Sequence, residues 1–201
     1  FDYVKEISLQ FGLVNICVTN YESDDVIGSL AHTYSDNNEV FIITGDRDIL
    51  QCINENVEVW LTKKGFTIYN RYTLDRFKNE YGLEPKQLID VKAFMGDTAD
   101  GYPGVKGIGE KTAIKLIQNH HSVENVIQNI STLIPAQQKK INDNINNLHL
   151  SKSLAEIHTQ VPLESEQLFN EMAYAHELNE ILSICNEHEL YVSGKYLASN
   201  F

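Results

Sequence analysis

Short apolar runs alternate with amphipathic stretches along the first half of the chain. Leu13–Val18 (LVNICV) is apolar and β-branched, which predicts a buried strand. Ser23 or Asp24 can then cap a helix, since apolar residues at helical spacing follow them. Glu39–Gly45 (EVFIITG) predicts a second buried strand, and another helix start comes directly after it. Strand, helix, strand and helix in this order indicate a parallel sheet with right-handed crossovers.

The pattern then changes to a hairpin and to helices. Val57–Asn70 alternates polar and apolar residues around Lys64 and Gly65, which predicts a β-hairpin. The first helix after the hairpin is expected to stop at Gly82, and Pro85 suits the first turn of the next helix. The fold class that these elements predict is therefore α/β, with a helical second half.

Several further helices are expected in the second half of the chain. One begins near Glu110 and closes at His120 and His121, where histidine suits the negative end of the helix dipole. Ala136–Ile157 predicts a single longer, polar helix. The C-terminal part of the chain is rich in Glu, and we expect it to form helices with a solvated face.

The composition is that of a folded, acidic chain. Of the 201 residues, 42% are hydrophobic, which is enough for a core, and no apolar run approaches the roughly 20 residues that cross a bilayer. The net charge of −12 argues against a nucleic-acid partner, unless bound cations neutralise the carboxylates and the basic surface is local. Cys17, Cys52 and Cys185 lie far apart among apolar neighbours, which predicts reduced, buried thiols in a cytoplasmic protein. No signal peptide is visible, and because residue 1 is Phe we expect the chain to be a fragment.

Acidic residues gather at the ends of three predicted elements. The three groups are Glu22, Asp24 and Asp25; Asp46 and Asp48; and Asp97 and Asp100. In an open parallel sheet, ligand sites form at the carboxyl ends of the strands, where the first two groups are expected to lie. Helix capping or a turn can explain each group singly. Doubled carboxylates at three places favour a metal site, because a cap does not need a second acid.

Carboxylates that converge need cations. At an effective dielectric of about 20, two like charges about 4 Å apart repel by about 4 kcal/mol, so the cluster requires hard cations or raised pKa values. Ligands that are all oxygen, without His or Cys, suit Mg²⁺ or Mn²⁺ and not zinc. Two such ions about 4 Å apart can activate water and stabilise the attacking and leaving oxygens at a phosphodiester.

The turn after the last acidic group has the composition of a phosphate clamp. Its glycines in Pro103–Gly109 (PGVKGIG) allow close approach of another backbone, and the helix behind them offers free N–H groups. Lys106, Lys111 and Lys115 add positive charge on an otherwise acidic chain. This pattern is typical of a helix-hairpin-helix, which holds a DNA backbone without reading bases. A plain interhelical turn is the alternative; a dinucleotide fingerprint is rejected, because the G-x-G-x-x-G spacing and a preceding strand are missing.

Three side chains near these groups have two interpretations each. Lys63 and Lys64 in the predicted hairpin either contact DNA or are only solvated. Tyr102 either stacks on a base or sugar or packs inside the turn.

Three stretches together resemble the bacterial 5′ nuclease family, the flap endonuclease-like 5′–3′ exonucleases that occur alone or at the N-terminus of DNA polymerase I. They are ESDDVIG (Glu22–Gly28), ITGDRDILQ (Ile43–Gln51) and FMGDTADGYPGVKGIGEKTAIKLI (Phe94–Ile117), and they stand in the family's order. The resemblance implies a PIN-like parallel sheet flanked by helices, followed by a helix-three-turn-helix region of helix-hairpin-helix type that binds DNA. We accordingly expect residues 1–72 to be the C-terminal part of the nuclease domain. Residues 73–201 would hold the DNA-binding region and C-terminal helices.

The resemblance also implies roles for single residues. Glu22, Asp24 and Asp25 match the motif that serves a first metal ion, Asp46 and Asp48 the pair between two sites, and Asp97 and Asp100 the second-site pair. All seven would then be catalytic. The elements that would bind DNA are Val105, Lys106, Gly107, Ile108, Gly109, Lys111, Thr112 and Lys115, and the carbonyls of Val105 and Ile108 would hold a potassium ion.

The reaction that the resemblance implies is metal-assisted hydrolysis of a phosphodiester near a junction of single- and double-stranded DNA, leaving a 5′-phosphate and a 3′-hydroxyl. The partners would be DNA with 5′ flaps, nicks or ends, and a replication polymerase or a ligase. We expect a cytoplasmic, nucleoid-associated monomer without membrane contact. The family's first aspartates and its basic helical arch have no counterpart after Phe1, and we expect these parts to have been removed.

Two other functions stay open. A non-catalytic helix-hairpin-helix module with structural acids would bind DNA whether or not Mg²⁺ is present. A Mg²⁺-dependent phosphatase of the haloacid dehalogenase type would need a D-x-D-x-T/V motif, and Asp46–Leu50 does not fit it.

Overall fold

A computed structural model describes residues 2–64 and 68–201. The strands are β1 (Val40–Thr44), β2 (Val57–Lys64) and β3 (Ile68–Tyr72). The α-helices are α1 (Asp2–Gln10), α2 (Ser23–Tyr34), α3 (Leu74–Tyr81), α4 (Leu88–Met95), α5 (Glu110–His120), α6 (Val123–Gln128), α7 (Pro135–Asp143), α8 (Ile145–Ala155), α9 (Ser165–Glu171), α10 (Leu178–Glu187) and α11 (Tyr191–Asn200). Short 3₁₀ helices cover Asp48–Cys52, Pro85–Gln87 and Ile130–Thr132.

The chain divides into two compact units. Glu22–Gln160 contains the sheet, α2 to α8 and the main hydrophobic core. Phe1–Tyr21 and Val161–Phe201 together contain α1 and α9 to α11, and the packing of α10 on α11 accompanies the burial of Cys185. The predicted C-terminal helices are thus confirmed. In the part of the chain that the structure describes, no helix combines the length and apolar character needed to span a membrane.

The sheet of the larger unit is mixed, with strand order β1-β2-β3. β1 runs parallel to β2, with Val40 opposite Val57, and β2 runs antiparallel to β3. The predicted strand at Glu39–Gly45 and the predicted hairpin are confirmed, although Gly65 at its centre lies outside the described residues. β1 is less buried than predicted, because it is an edge strand of the described sheet and one of its faces is open.

The predicted strand at Leu13–Val18 is wrong. Its residues have no regular secondary structure, and the side chain of Leu13 is 53% exposed. An apolar, β-branched run becomes a strand only when a neighbouring strand takes up its backbone hydrogen bonds. The sheet formed by the described residues contains β1, β2 and β3 alone. The first acidic group therefore opens α2 without a strand directly in front of it.

The helices that begin at the first two acidic groups differ in detail from the prediction. α2 is capped by Glu22, whose backbone N–H donates to the Asp25 carboxylate at 3.2 Å, and not by Ser23 or Asp24. Three-residue spacing lets cap and carboxylate meet, which is the geometry of a capping box. The helix predicted after β1 is the 3₁₀ helix Asp48–Cys52, fixed by completely buried apolar side chains.

The predicted helix starts and ends are confirmed along the middle of the chain. Gly82 ends α3 in the left-handed conformation, with φ of 63°, and Pro85 opens the 3₁₀ turn that leads into α4. α5 ends at His120, and His121 takes the left-handed position after it. α4 is the central helix, because it packs on both α5 and α8 and buries Phe94 completely.

The single polar helix predicted for Ala136–Ile157 is two helices. α7 and α8 are separated at Asn144, whose φ of −127° and ψ of 21° leave the helical region. The segment is also less polar than predicted, because Ile141 and Leu148 are completely buried in the core. These two side chains attach the helices to the larger unit.

The three cysteine thiols were predicted to be buried and reduced, and their burial is confirmed only in part. All three thiols are free, as predicted; Cys185 is buried, and burial raises the pKa of the half-buried Cys52 to about 12. Cys17 is exposed, because the strand that was expected to bury it does not form.

Candidate metal centre and nucleic-acid interface

Three aspartates from different elements meet beside α4. Asp48 starts the 3₁₀ helix that follows β1, and Asp97 and Asp100 lie in the loop that follows α4. Carboxylate oxygens of the three residues lie within 4.8 Å of one another. We call Asp48, Asp97 and Asp100 the aspartate cluster.

Two glycines shape the loop that carries most of the aspartate cluster. Asp97 and Tyr102 exchange two backbone hydrogen bonds of 3.0 Å, which closes a short antiparallel bridge. Gly96 and Gly104, at the two ends of the loop, have φ of 70° and 58°. Their backbones pack so closely that a Cβ on Gly104 would collide with the backbone of Gly96. The loop conformation is therefore specific to glycine at these two positions.

Lys92 of α4 lies inside the aspartate cluster, and the sequence analysis missed it. Its side chain is only 12% exposed, and its Nζ lies 2.6 Å from Asp48 and 2.7 Å from Asp97. A nearly buried ammonium needs such carboxylate partners, because leaving it unpaired would cost several kcal/mol, on the order of 3–5. One sequence signal could have found it: Lys92 lies between the apolar residues Val91 and Ala93 on a helix that ends just before Asp97.

The pKa shifts within this group show strong mutual interaction. Burial acts to lower the pKa of Lys92, but its hydrogen bonds to Asp48 and Asp97 raise it overall. The hydrogen bond from Lys92 lowers the pKa of Asp97. The pKa of Asp48 is raised instead, because its burial and the charges of Asp46 and Asp100 outweigh the same lysine. The aspartate cluster thus carries more negative charge than Lys92 neutralises.

Asp24 of α2 is electrostatically coupled to Asp48 of the same cluster. Its pKa is raised to about 6, first by burial and then by the charges of Asp46 and Asp48, with Glu22 and Asp25 adding smaller effects. Asp46 in turn accepts the backbone N–H of Asp48 at 2.8 Å, which fixes the turn between them. The structure therefore brings Asp24 and Asp46 into electrostatic contact with the aspartate cluster.

Glu22 and Asp25 are held by the backbone around α2. Asp25 accepts the N–H of Glu22 and, with its other oxygen, the N–H of His158 at 2.8 Å. These bonds give Asp25 a structural task in the larger unit. A role of either residue at a metal ion stays a prediction.

The donor set fits a hard divalent cation. The aspartate cluster offers three carboxylates and neither His nor Cys, and Asp24 and Asp46 add two more carboxylates nearby. Such all-oxygen sets are what Mg²⁺ and Mn²⁺ prefer. A bound cation would also offset the carboxylate repulsion that adds to burial in raising the pKa of Asp24.

Pro103–Gly109, which we call the glycine hairpin, lies between α4 and α5 and is anchored by its apolar residues. Val105 and Ile108 are buried, and the Val105 N–H donates to the Phe94 carbonyl at 2.8 Å. The Gly104 N–H donates to the buried Ser151 hydroxyl at 2.9 Å. The Val105 carbonyl accepts the Ile108 N–H at 3.0 Å, so one of its two lone pairs is used within the hairpin.

Exposed lysines surround this hairpin. Lys106, Lys111 and Lys115 are exposed, and α5 starts at an N-cap glycine that offers no side-chain cap to the first N–H groups. Thr112 is half-buried in the first turn, and the Thr112 N–H donates to the Gly109 carbonyl at 3.0 Å. Lys140 of α7 joins them, with its Nζ 2.8 Å from the Gly107 carbonyl; the sequence analysis missed it because it lies outside the motif. Lys63 is also exposed, whereas the side chain of Lys64 lies outside the described set.

A cleft is lined by Asp97 of the aspartate cluster and by residues of α5. It has a volume of about 210 Å³, and its lining includes Lys92 and Asp97 on one side and Glu110 and Ile114 of α5 on the other. Arg47 also lines it and donates to the Tyr81 hydroxyl at 2.6 Å. Asp97 of the aspartate cluster and two residues of α5 therefore line one space.

Two family models match the sequence in succession. Residues 1–82 match the model described as 5′-3′ exonuclease, N-terminal resolvase-like domain, and residues 83–177 match 5′-3′ exonuclease, C-terminal SAM fold. The predicted division at residues 72 and 73 is not tested by this match and stays a prediction.

Curated proteins with similar sequences carry matching names. The 5′-3′ exonuclease of Bacillus subtilis (strain 168) is 47% identical over 163 residues, which cover 81% of this chain and 55% of that protein. DNA polymerase I of Lactococcus lactis subsp. cremoris (strain MG1363) is 40% identical over 169 residues, which cover 81% of this chain and 19% of the polymerase. The chain thus spans little more than half of the first relative and a fifth of the second.

Solved structures show the same fold. The T5 5′-exonuclease with divalent metal ions (zinc) bound has a TM-score of 0.68 at 21% identity, covering 79% of this chain and 59% of that chain. The catalytic core of Rad2 in complex with DNA substrate has a TM-score of 0.59 at 16% identity, covering 92% of this chain and 63% of that chain. The chain is therefore an α/β protein with a PIN-like, resolvase-type sheet region and a helical SAM-like region, as predicted. It belongs to the 5′-3′ exonuclease family.

Proposed function

We propose that this chain acts in a structure-specific 5′ nuclease, a 5′–3′ exonuclease and flap endonuclease that hydrolyses DNA phosphodiesters during replication and repair. The observation that carries the proposal is the aspartate cluster, whose loop leads directly into the glycine hairpin and is closed by the packing of Gly104 on Gly96. Acids that suit divalent cations and a basic hairpin that suits a phosphate backbone are therefore direct neighbours along the chain.

In this proposal, two sets of carboxylates would each bind one divalent ion. Asp48, Asp97 and Asp100 would hold one ion, and Asp24 with Glu22 and Asp25 would hold the other, with Asp46 between them. Mg²⁺ is the proposed ion and Mn²⁺ a substitute; when bound, they would activate a water and stabilise both oxygens of the scissile phosphodiester. Lys92 keeps Asp48 and Asp97 in place and offsets part of their repulsion.

The hairpin would hold duplex DNA beside the scissile phosphate. Its elements are the ones predicted from sequence, Val105 to Gly109 with Lys111, Thr112 and Lys115, and Lys140 extends their positive charge. Contacts to phosphates position a duplex without reading its sequence, which suits recognition of a 5′ flap, a nick or an end. We further propose potassium at the Val105 and Ile108 carbonyls, where buried side chains hold the turn in shape.

Partners and assembly are part of the same proposal. Curated relatives include DNA polymerase I, so a polymerase joined to or working with this chain is the proposed partner, followed by a ligase acting on the product. We propose a monomer, since a flap or a nick presents one scissile phosphodiester.

The test is cleavage of a labelled 5′-flap DNA by the full-length protein with Mg²⁺ and then with EDTA. Asp97→Asn/Asp100→Asn should lower kcat by at least about 100-fold, because it removes two carboxylates from the aspartate cluster. The matched control is Asp36→Asn/Asp143→Asn, which makes the same charge change at two exposed positions and should retain activity.

Three outcomes separate the candidates. Cleavage that requires Mg²⁺ and disappears in the double variant supports the nuclease. Flap DNA that binds equally with Mg²⁺ or EDTA and is never cut identifies a non-catalytic binding module. Full cleavage by Asp97→Asn/Asp100→Asn would refute the proposed second metal site.

A further inference from the structure

Tyr102 has a buried hydroxyl group that forms no hydrogen bond with any described residue. Its side chain is 4% exposed, and its Oη is buried without a hydrogen-bond partner among the residues that the structure describes. Buried hydroxyls nearly always have a partner, because an unsatisfied one costs about 1–3 kcal/mol. Phenylalanine would fill almost the same volume without that cost, so the hydroxyl needs an explanation.

The backbone directs this side chain toward the aspartate cluster. Asp97 and Tyr102 are directly opposite in the short antiparallel bridge, with two backbone hydrogen bonds of 3.0 Å. Residues opposite each other in an antiparallel pair have side chains on the same face. The bridge therefore places the Tyr102 side chain on the same face of the loop as the Asp97 carboxylate.

The chemistry of the hydroxyl limits what it can bind there. A neutral phenol is a good hydrogen-bond donor, and its surroundings are dominated by acceptors. The Asp97 carboxylate already accepts from Lys92 and from the Ala99 N–H, at 2.7 and 2.8 Å. A small oxygen ligand between the phenol and the carboxylates would satisfy the hydroxyl. Water in the shell of a divalent cation is such a ligand, and Mg²⁺ in particular keeps several waters when it binds to carboxylates.

We propose that Tyr102 is a positioning residue of the metal centre: its hydroxyl donates a hydrogen bond to a water ligand of the divalent ion at Asp48, Asp97 and Asp100. This inference rests on the proposed function, because it needs an ion at that cluster. Outer-shell donors of this kind orient the ligands of a bound metal and tune its affinity. Tyr102 would in this way tie the short bridge of the loop to the ion.

The test compares Tyr102→Phe with wild type by two measurements that need no DNA. The first is the Mn²⁺ dissociation constant, from titration calorimetry or from the EPR signal of free Mn²⁺. The second is the thermal midpoint in EDTA. We expect Tyr102→Phe to bind Mn²⁺ about tenfold more weakly while melting at a higher temperature in EDTA, since the unsatisfied hydroxyl is gone. The two effects have opposite signs, and a packing role alone would not change the Mn²⁺ affinity.

Tyr72→Phe is the matched control. It also removes one phenolic hydroxyl, which donates to Glu80 at 3.0 Å on the sheet side of the larger unit, and its Mn²⁺ affinity should equal that of wild type. A Tyr102→Phe affinity within twofold of wild type, while wild type binds Mn²⁺, would overturn this inference and leave the metal centre intact. Wild type that binds Mn²⁺ no better than Asp97→Asn/Asp100→Asn would overturn both.

Discussion

At the scale of single residues, Lys92 shows how the chain keeps several acids together before any cation binds. Its ammonium lies between Asp48 and Asp97, at 2.6 and 2.7 Å, with little access to water. Without it, two carboxylates would face each other across a poorly solvated space. Lys92 and a divalent cation therefore serve the same electrostatic need, and they compete for the same oxygens.

Lys92→Met tests this competition. In EDTA at pH 7, the variant should lose about 2–3 kcal/mol of unfolding free energy, less than a fully buried pair because some water reaches the group. Mn²⁺ should bind about tenfold more tightly, equivalent to about 1.4 kcal/mol, because a neighbouring positive charge is gone. Urea unfolding in EDTA and calorimetry with Mn²⁺ measure the two changes.

Lys139→Met is the control for this prediction, since Lys139 is exposed on α7. Its unfolding free energy should stay within about 0.5 kcal/mol of wild type. Weaker Mn²⁺ binding in Lys92→Met would mean that the lysine organises the site for the ion instead of competing with it.

At the scale of elements, much of the fold could be predicted because local signals and packing agree. Gly82 and Pro85 mark helix ends through their own backbone preferences, and α3 and α4 begin and end accordingly. Leu13–Val18 could not be predicted in the same way, since an apolar run is a strand only if a partner strand is present. The break at Asn144 was missed because helical periodicity continues on both sides of it.

The residues of the candidate site could likewise be predicted only where the signal is local. Asp48, Asp97 and Asp100 could be named from sequence, because their positions after a strand and before a glycine-rich turn are local features. The Lys92 pairing, the Asp25 bond to His158 and the burial of Tyr102 depend on contacts between distant segments. Such contacts have no signature within a short stretch of sequence.

The loop after α4 provides a prediction at the element scale. Gly104→Ala should lower the unfolding free energy by about 3 kcal/mol or more, because it combines a left-handed φ of 58° with a collision against Gly96. Gly101→Ala has a φ of 79° but open space around a new Cβ, so the strain alone should cost about 1 kcal/mol. Chemical unfolding in EDTA measures both changes.

Gly109→Ala completes this series as the control for both effects. Gly109 has a negative φ of −99°, and nothing lies within 4 Å of its added Cβ. Its unfolding free energy should stay within about 0.5 kcal/mol of wild type. Equal losses at Gly101 and Gly104 would show that the loop relaxes to accept the Cβ, and that close packing of the two glycine backbones is not what fixes the aspartates.

At the scale of the whole molecule, a net charge of −12 must be reconciled with the polyanionic partner that we propose. The two kinds of charge are separated within one unit. Carboxylates lie in the aspartate cluster and around Asp24, while Lys106 of the hairpin and Lys111 at the start of α5 are exposed. Binding then depends on the local field and not on total charge. Divalent ions would reduce the negative potential at the cleft when DNA approaches.

Salt dependence tests this local field. If Lys106 and Lys111 each contact a phosphate, Lys106→Ala/Lys111→Ala should weaken binding of duplex DNA and reduce the slope of log K against log salt concentration by about 2.

The control, Lys5→Ala/Lys195→Ala, removes the same charge from two other exposed positions. Its slope should equal that of wild type. Fluorescence anisotropy with Ca²⁺ in place of Mg²⁺, between about 50 and 200 mM salt, measures the slopes. Equal loss of slope in both double variants would show that DNA responds to total charge, and the hairpin would then lose its assigned role as the DNA-holding element.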